Sequence, residues 1–330
     1  MSERSRSTID GLLVIDKPVG PTSHDVVARM RRTLGERRIG HTGTLDPNAS
    51  GVLPLVIGRA TRLARFLSAS DKAYEAEVEL GASTSTYDSE GEVVGATYHG
   101  AWPSRDEVEA ALLEFRGTFV QRPPIFSAKR VAGRRSYKTA RAAARRVGPA
   151  VTPDTLATPV PVAVSTHALE LLDVDAQRVR LRLVCSAGFY VRSLAHDLGR
   201  RLGTGAHLIE LRRTRSGNLS LADAVPLETA VSDRSAALAA LVPTAKMLPG
   251  LPAVTLSLEG ARRATRGQDV GPEDVDHAPA LVFTGTASTE SETDSVRPAY
   301  VRLLAPGGDL VGIAEPASTP GLLHPSVVLV

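Results

Sequence analysis

Cysteine is almost missing from the 330 residues: Cys185 stands alone. A lone thiol excludes an internal disulfide framework and fits a reducing compartment. It sits in the alternating run VRLRLVCS, which reads as a buried strand rather than a nucleophile's setting. Long apolar runs are missing as well. None approaches the ~18 residues of a membrane span, and the polar opening MSERSRSTID lacks an apolar signal core. The chain therefore reads as cytoplasmic, with no membrane association and a frayed tail over residues 1–10. Metal-site patterns are absent, because the eight histidines are dispersed and no Cys pair or HExxH spacing occurs. GERRIGHTG lacks the spacing and the Lys-Ser/Thr ending of a phosphate-binding P-loop. In LLVIDKP a phosphatase-type second Asp is replaced by Pro18. No cofactor-dependent chemistry is visible.

The length has room for roughly two domains of about 150 residues each, and an apolar content of 42% suffices for packed cores. The net charge is only +3, but it is unevenly spread. From Lys129 to Arg146 the chain carries eight basic residues and no acid, whereas Asp269 to Asp294 carries seven acids and no Lys or Arg. The first stretch suits contact with a polyanion.

Periodicity gives a mixed α and β pattern. GLLVIDKP and GVLPLVIG read as buried strands, and AYEAEVELG as a half-buried one. TSHDVVARMRRTLG reads as an amphipathic helix with Ser23 as N-cap and Gly35 past its end, and RATRLARFLS as a second helix. Ser104 and Glu107 form a capping-box signature before a helix that runs to Gly117. VSTHALELLDV and RVRLRLVCSAG form a hairpin, followed by the helix YVRSLAHDLGRRLG and the strand HLIELRRTRSG. Beyond about residue 245 come short strands rich in Pro and Gly, the flexible-looking TGTASTESETDSV, and one helix, LEGARRATRG. A domain boundary is expected near Pro249, separating 11–248 from 249–330.

One stretch concentrates possible chemistry. GHTGTLDPNASGVL, from Gly40 to Leu53, sets Asp46 among three glycines, a proline and hydroxyl residues. Asp-Pro with neighbouring Gly is ordinary turn chemistry, and a carboxylate nucleophile on a rigid loop has the same composition. The residues alone leave both readings open.

Five blocks occur in order: LLVIDKPVGPTSHDVV, RRIGHTGTLDPNASGVLPLVIGRATRL, DKAYEAEVELGASTSTYDSEG, RPPIFSAKRVAGRRSYKTAR and CSAGFYVRSLAHDLGRRLGTGAHLIELRRTRSG. Over about residues 10–230 they resemble the TruB family of tRNA pseudouridine synthases. The resemblance implies an α+β catalytic domain with a mostly antiparallel central sheet flanked by helices, followed by a small β-rich PUA-like domain. It implies isomerisation of uridine 55 in the T-arm stem-loop of tRNA, by base flipping, without metal or cofactor.

On that resemblance Asp46 is the nucleophile, Arg192 the arginine that pairs with and orients it, and Tyr74 the ring that stacks on the target base. A carboxylate is ionised at neutral pH and needs no general base, a guanidinium can hold it bidentately, and a tyrosine hydroxyl can move a proton. Tyr190 and Leu211 line the uracil pocket, and His41 fills the gap that the flipped base leaves. The glycines let RNA approach closely. Lys17 supports the active-site loop or the phosphate backbone. Lys129, Arg130, Arg134, Arg135, Lys138 and Arg141 belong to a mobile basic thumb, about 124–150, that closes on phosphates. Phe126 stands where the family has Tyr, and the C-terminal acidic stretch suits phosphate poorly, leaving the basic helix from Ala261 to Arg266 as its RNA contact. A monomer needing no protein partner is expected. The competing readings are a guide-RNA-dependent relative and an RNA-folding chaperone whose catalysis is secondary.

Overall fold

A computed structural model describes residues 9–126, the backbone of 130–131 and 134–135, and residues 159–279, 282–283 and 299–329. Strand β1 (Gly11–Lys17) leads to helix α1 (Ser23–Leu34), the short β2 (Ile39–His41) and β3 (Ala49–Ile57). Then come β4 (Lys72–Leu80), α2 (Arg105–Leu112), β5 (Gly117–Gln121), β6 (Val162–Asp175), β7 (Arg178–Cys185) and α3 (Val191–Leu202). β8 (Ala206–Ser216), β9 (Leu219–Ser220) and β10 (Val225–Pro226) complete a ten-stranded sheet in the order β10-β1-β3-β8-β4-β7-β6-β5, with β2 on β3 and β9 on β8. The pairing is mostly antiparallel; β10 with β1 and β8 with β3 run parallel. This is the mixed α/β architecture that the resemblance implies.

The parallel contact of β8 and β3 sets Leu211 beside Ala49 and Arg213 beside Gly51. On its other edge β8 sets Arg213 against Tyr74 of β4. The loop carrying Asp46, which enters β3, is thereby brought to the strands carrying Tyr74 and Leu211. Gly51 has a φ of 101°, and a Cβ there would lie 2.2 Å from the Arg213 carbonyl oxygen. This glycine therefore permits the close approach of two strands, not the approach of RNA.

Helix α1 is capped by Thr22, whose hydroxyl accepts from the Asp25 amide while the Asp25 carboxylate accepts from the Thr22 amide. The cap falls one residue earlier than the sequence reading, because Ser23 is buried and its hydroxyl turns to Leu45 instead. Gly35 ends the helix in the left-handed region, as read. RATRLARFLS is a 3-10 segment (Gly58–Leu63) followed by only a short α-helical piece (Ala64–Ser68). The Thr61 hydroxyl donates back to the Gly58 carbonyl and the Arg59 amide to Asp10, which hold the tighter turn. The capping box at Ser104 and Glu107 forms, but the α-helix stops at Leu112 and one 3-10 turn reaches the buried Phe115. β6 and β7 form the expected hairpin. Cys185 is buried in β7, and desolvation pushes its thiol up to about 12.

A second sheet of five strands takes the order β12-β11-β13-β14-β15, from β11 (Ala253–Leu256), β12 (Val275–His277), β13 (Val301–Leu304), β14 (Leu310–Pro316) and β15 (Leu323–Val328), with helix α4 (Leu258–Thr265) packed on it. An apolar cluster joins the two sheets: Leu12 and Val56 of the first, with Ala60 and Leu63 of the 3-10 segment, meet Leu310 and Ile313 of β14 and Leu329 just past β15. The Arg59 and Arg62 guanidiniums donate to the Leu329 and Val328 carbonyls. On α4, Arg263 is engaged by Asp274 and by the Asp269 carbonyl, and Arg262 by Glu259.

Candidate active site

The Asp46 loop is held from below and from both sides. The Leu45 amide donates to Ser23 Oγ and the Ser23 hydroxyl donates back to the Leu45 carbonyl, both at 2.9 Å. The Gly20 amide donates to the Pro47 carbonyl at 2.8 Å, and the Ala49 amide to the Asp46 carbonyl at 3.1 Å. The Leu45 side chain is buried in the main core. Asp-Pro thus makes a turn, and that turn aims the carboxylate into a cleft of about 840 Å³.

Arg192, one residue into α3, meets Asp46 there: its Nε lies 3.0 Å from Asp46 Oδ2. The guanidinium side chain is 7% exposed and the carboxylate 36%. The pairing is not bidentate to Asp46, as the resemblance allowed, because the other nitrogens are taken. NH1 donates to the Thr86 carbonyl at 3.0 Å and faces Asp88 Oδ2 at 3.4 Å, and NH2 donates to the Phe126 carbonyl at 2.9 Å. One buried cation is shared between two carboxylates and fixed by two carbonyls, so its direction is set before anything binds. Phe126 contributes through its main chain, which the missing hydroxyl does not affect.

Tyr74 projects from β4 into the same cleft and is almost wholly buried. Desolvation raises its pKa, against the Arg213 charge and hydrogen bond, so its hydroxyl stays protonated at neutral pH. Tyr190 and Leu211 line the cleft too. Tyr190 is held by a two-way clamp, its amide donating to Gln121 Oε1 at 2.8 Å and Gln121 Nε2 donating to its carbonyl at 3.0 Å. His41 lines the cleft as well, edge-on to His24 with ring centroids 5.4 Å apart.

Lys17 is fully buried beneath the loop and donates to the Pro18 and Pro47 carbonyls. Desolvation lowers its pKa to about 8, with Asp46 raising and Arg213 lowering it. Its ammonium has no exposed surface to offer a backbone phosphate. Of the thumb residues, Arg130, Arg134 and Arg135 fall in a two-stranded ribbon whose backbone alone is described. Lys129, Lys138 and Arg141 lie outside the described residues, as does the stretch 284–296.

Four residues of the site escaped the sequence reading. Asp88 is buried against Arg192, but it sits in the turn-like TYDSEG, where periodicity gives no signal. Arg213 is buried in β8, donating to the Val52 carbonyl at 2.7 Å and the Gly43 carbonyl at 3.0 Å. Its place two residues after Leu211, on the same strand face, was the available clue. Lys72, with a pKa lowered to about 8 mainly by desolvation, lines the cleft. Gln121 gave no signal in its short strand. The cations Arg192, Arg213 and Lys72 line the cleft beside the acids Asp46, Asp88 and Glu90, and its volume is that of a small-molecule-sized pocket.

Known proteins are similar to this chain in sequence and in fold. Residues 31–191 match the model of the TruB family pseudouridylate synthase N-terminal domain, and 192–243 that of the tRNA pseudouridylate synthase B C-terminal domain. The tRNA pseudouridine synthase B of Solibacter usitatus is 43% identical over 325 residues, covering 97% of this chain and all of its own. That of Symbiobacterium thermophilum is 46% identical over 264 residues, 79% of this chain and 83% of its own. Among solved structures, an H/ACA RNP bound to a substrate RNA containing 2'-deoxyuridine aligns with a TM-score of 0.68 at 25% identity, covering 97% of this chain and 85% of the other. A Cbf5-Nop10-Gar1 complex aligns equally well at 26% identity. The chain belongs to the TruB family of tRNA pseudouridine synthases, isomerases that convert uridine to pseudouridine.

Proposed function

We propose that the protein isomerises uridine 55 in the T-arm stem-loop of tRNA, acting as a monomer in the cytoplasm without cofactor or metal. The observation that carries the reading is the 3.0 Å contact between Arg192 Nε and Asp46 Oδ2 inside a cleft that also holds Tyr74, Tyr190 and Leu211.

The chemistry breaks the bond from uracil N1 to ribose C1′, turns the base, and forms a bond from C5 to C1′; the C5 proton leaves and N1 ends protonated. Asp46 acts as the nucleophile that traps the reacting group, which splits one hard step into two. Arg192 keeps its carboxylate aimed. Tyr74 stacks on the base, an interaction worth roughly 1–3 kcal/mol, and its protonated hydroxyl shuttles the late proton. Tyr190 and Leu211 wall the uracil, and His41 occupies the space that the extruded base leaves. Lys17 holds the loop through Pro47, and the basic segment 124–150 closes over backbone phosphates. The C-terminal five-stranded unit is read as PUA-like, with Arg262 and Arg266 as its candidates for RNA contact.

Purified protein incubated with an unmodified tRNA, with pseudouridine mapped by position, tests the reading. Modification at position 55 that disappears in Asp46→Asn supports it. No pseudouridine, or modification only when a guide RNA is added, would sink it.

A further inference from the structure

We propose that Tyr87 and His196 are positioning residues for this isomerisation: their stacked rings hold the turn that presents Thr86 and Asp88 to Arg192, and so fix the attitude of the Asp46 carboxylate. The inference rests on the reading of Asp46 given above.

The turn lies in STSTYDSEG. The Tyr87 amide donates to the Thr84 carbonyl at 3.2 Å and the Gly91 amide to the Asp88 carbonyl at 3.2 Å. Between them Tyr87 takes a φ of 65°. A residue with a Cβ is disfavoured in that left-handed region, where Gly or Asn is the usual occupant. A bulky aromatic there is held by something outside the turn, and such outliers gather at functional sites.

Two elements do the holding. β8 takes the backbone: the Leu208 amide donates to the Tyr87 carbonyl and the Ser89 amide to the Leu208 carbonyl, both at 3.0 Å. α3 takes the side chain: the Tyr87 ring lies on the His196 ring with centroids 3.9 Å apart and planes inclined by 12°. His196 stands one helical turn after Arg192. The same helix therefore supplies the guanidinium and anchors the turn that the guanidinium grips. Burial lowers the His196 pKa to about 4, so a neutral, flat ring faces the tyrosine.

The positive φ turns the chain sharply between Thr86 and Asp88, and both then address one nitrogen. Arg192 NH1 donates to the Thr86 carbonyl at 3.0 Å and faces Asp88 Oδ2 at 3.4 Å. An extended residue 87 would carry Asp88 onward along the chain, away from the nitrogen that Thr86 holds. Thr86 and Asp88 line the cleft whereas Tyr87 and His196 do not. Their effect on the reaction therefore passes through Arg192.

The test compares variants that separate the ring from the backbone, using full-length protein and unmodified tRNA. Tyr87→Gly removes the ring but adopts the turn without strain, and His196→Ala removes the stack without changing a residue of the turn. Both should melt close to wild type yet lose kcat by about tenfold to a hundredfold, the scale of a small misplacement of reacting groups, with KM for tRNA changed by about twofold at most. Tyr87→Phe and His196→Phe keep the stack and should keep kcat within about twofold. Wild-type kcat in both Tyr87→Gly and His196→Ala overturns the inference. So does an equal loss in Tyr87→Phe, which assigns the effect to the hydroxyl, or a kcat loss explained by a matching fall in folded protein. Should Tyr87→Gly fail to fold, His196→Ala decides alone. Asp46→Asn run alongside keeps the failures apart: pseudouridine from it sinks the Asp46 reading, whereas an inactive Asp46→Asn beside fully active Tyr87→Gly and His196→Ala sinks only this inference.

Discussion

Arg192 reaches Asp46 from a buried position, Nε to Oδ2 at 3.0 Å, while its side chain is 7% exposed and the carboxylate's is 36%. The cation is thus part of the protein interior and the carboxylate part of the cleft wall. This asymmetry suits a group that must be fixed in direction yet reachable by substrate.

Arg192→Lys should lower kcat by about a hundredfold or more, since an ammonium cannot serve two carboxylates and two carbonyls in one plane. Arg192→Met should also destabilise the fold by about 3–5 kcal/mol, because Asp88 is left buried without its cation. Urea melts and single-turnover rates check both. An Arg192→Met protein as stable as wild type would show that Asp88 does not depend on Arg192 as its partner.

Tyr74→Phe should keep tRNA affinity and lower turnover. The ring still stacks, and the proton-bearing hydroxyl is gone. Filter binding and single-turnover rates separate the two, and equal turnover in both proteins removes the proton-transfer role.

Lys17 has a folded-state pKa of about 8 against 10.5 ordinarily, chiefly through desolvation. Between those values the unfolded chain binds more protons than the folded one, so this group's penalty shrinks as pH rises through the window. Wild type should therefore gain stability relative to Lys17→Met between pH 8 and pH 10. Denaturant melts at the two pH values give the difference, and a constant gap would mean that burial does not lower the Lys17 pKa and that its ammonium stays charged across the window.

The His196 imidazole runs the same logic on the acid side. Its folded pKa is about 4 against 6.5, lowered by desolvation and then by Arg200. As pH falls from 6.5 toward 4 the unfolded chain takes up the proton first, so stability declines across that window. His196→Phe should flatten that decline, and an unchanged slope assigns the acid sensitivity to other groups.

Truncation after Pro249 removes Leu310, Ile313 and Leu329 from their contacts with Leu12, Val56 and Leu63. The truncated chain should lose several kcal/mol of stability by the cost of exposing that cluster, beyond any loss of tRNA binding. Calorimetry checks this: an unchanged melting transition for 1–249 would show that the cluster does not couple the two sheets.

Much of this was legible in the chain. The alternation of β4, β6 and β7, the capping box at Ser104 and Glu107, and the glycine ending α1 follow from local patterns whose physics lies within a few residues. The GHTGTLDP block marked Asp46, and the resemblance supplied its partners Tyr74 and Arg192, 28 and 146 residues further along the chain, only as expectations. Asp88 and Arg213 stayed hidden, because a buried charge looks like an exposed one until its partner is known, and those partners lie 104 and 161 residues distant in the chain.

The sequence by itself determined the strand and helix periodicities, the shortage of cysteine, and the turn chemistry that surrounds Asp46, since each depends on near neighbours. Only the tertiary structure decided which cation meets which carboxylate. The crossing of β8 between β3 and β4 and the packing of α3 bring Asp46, Asp88 and Arg192 within a few ångströms. Electrostatics in a buried site depends on distance and desolvation, and neither is set until the chain is folded.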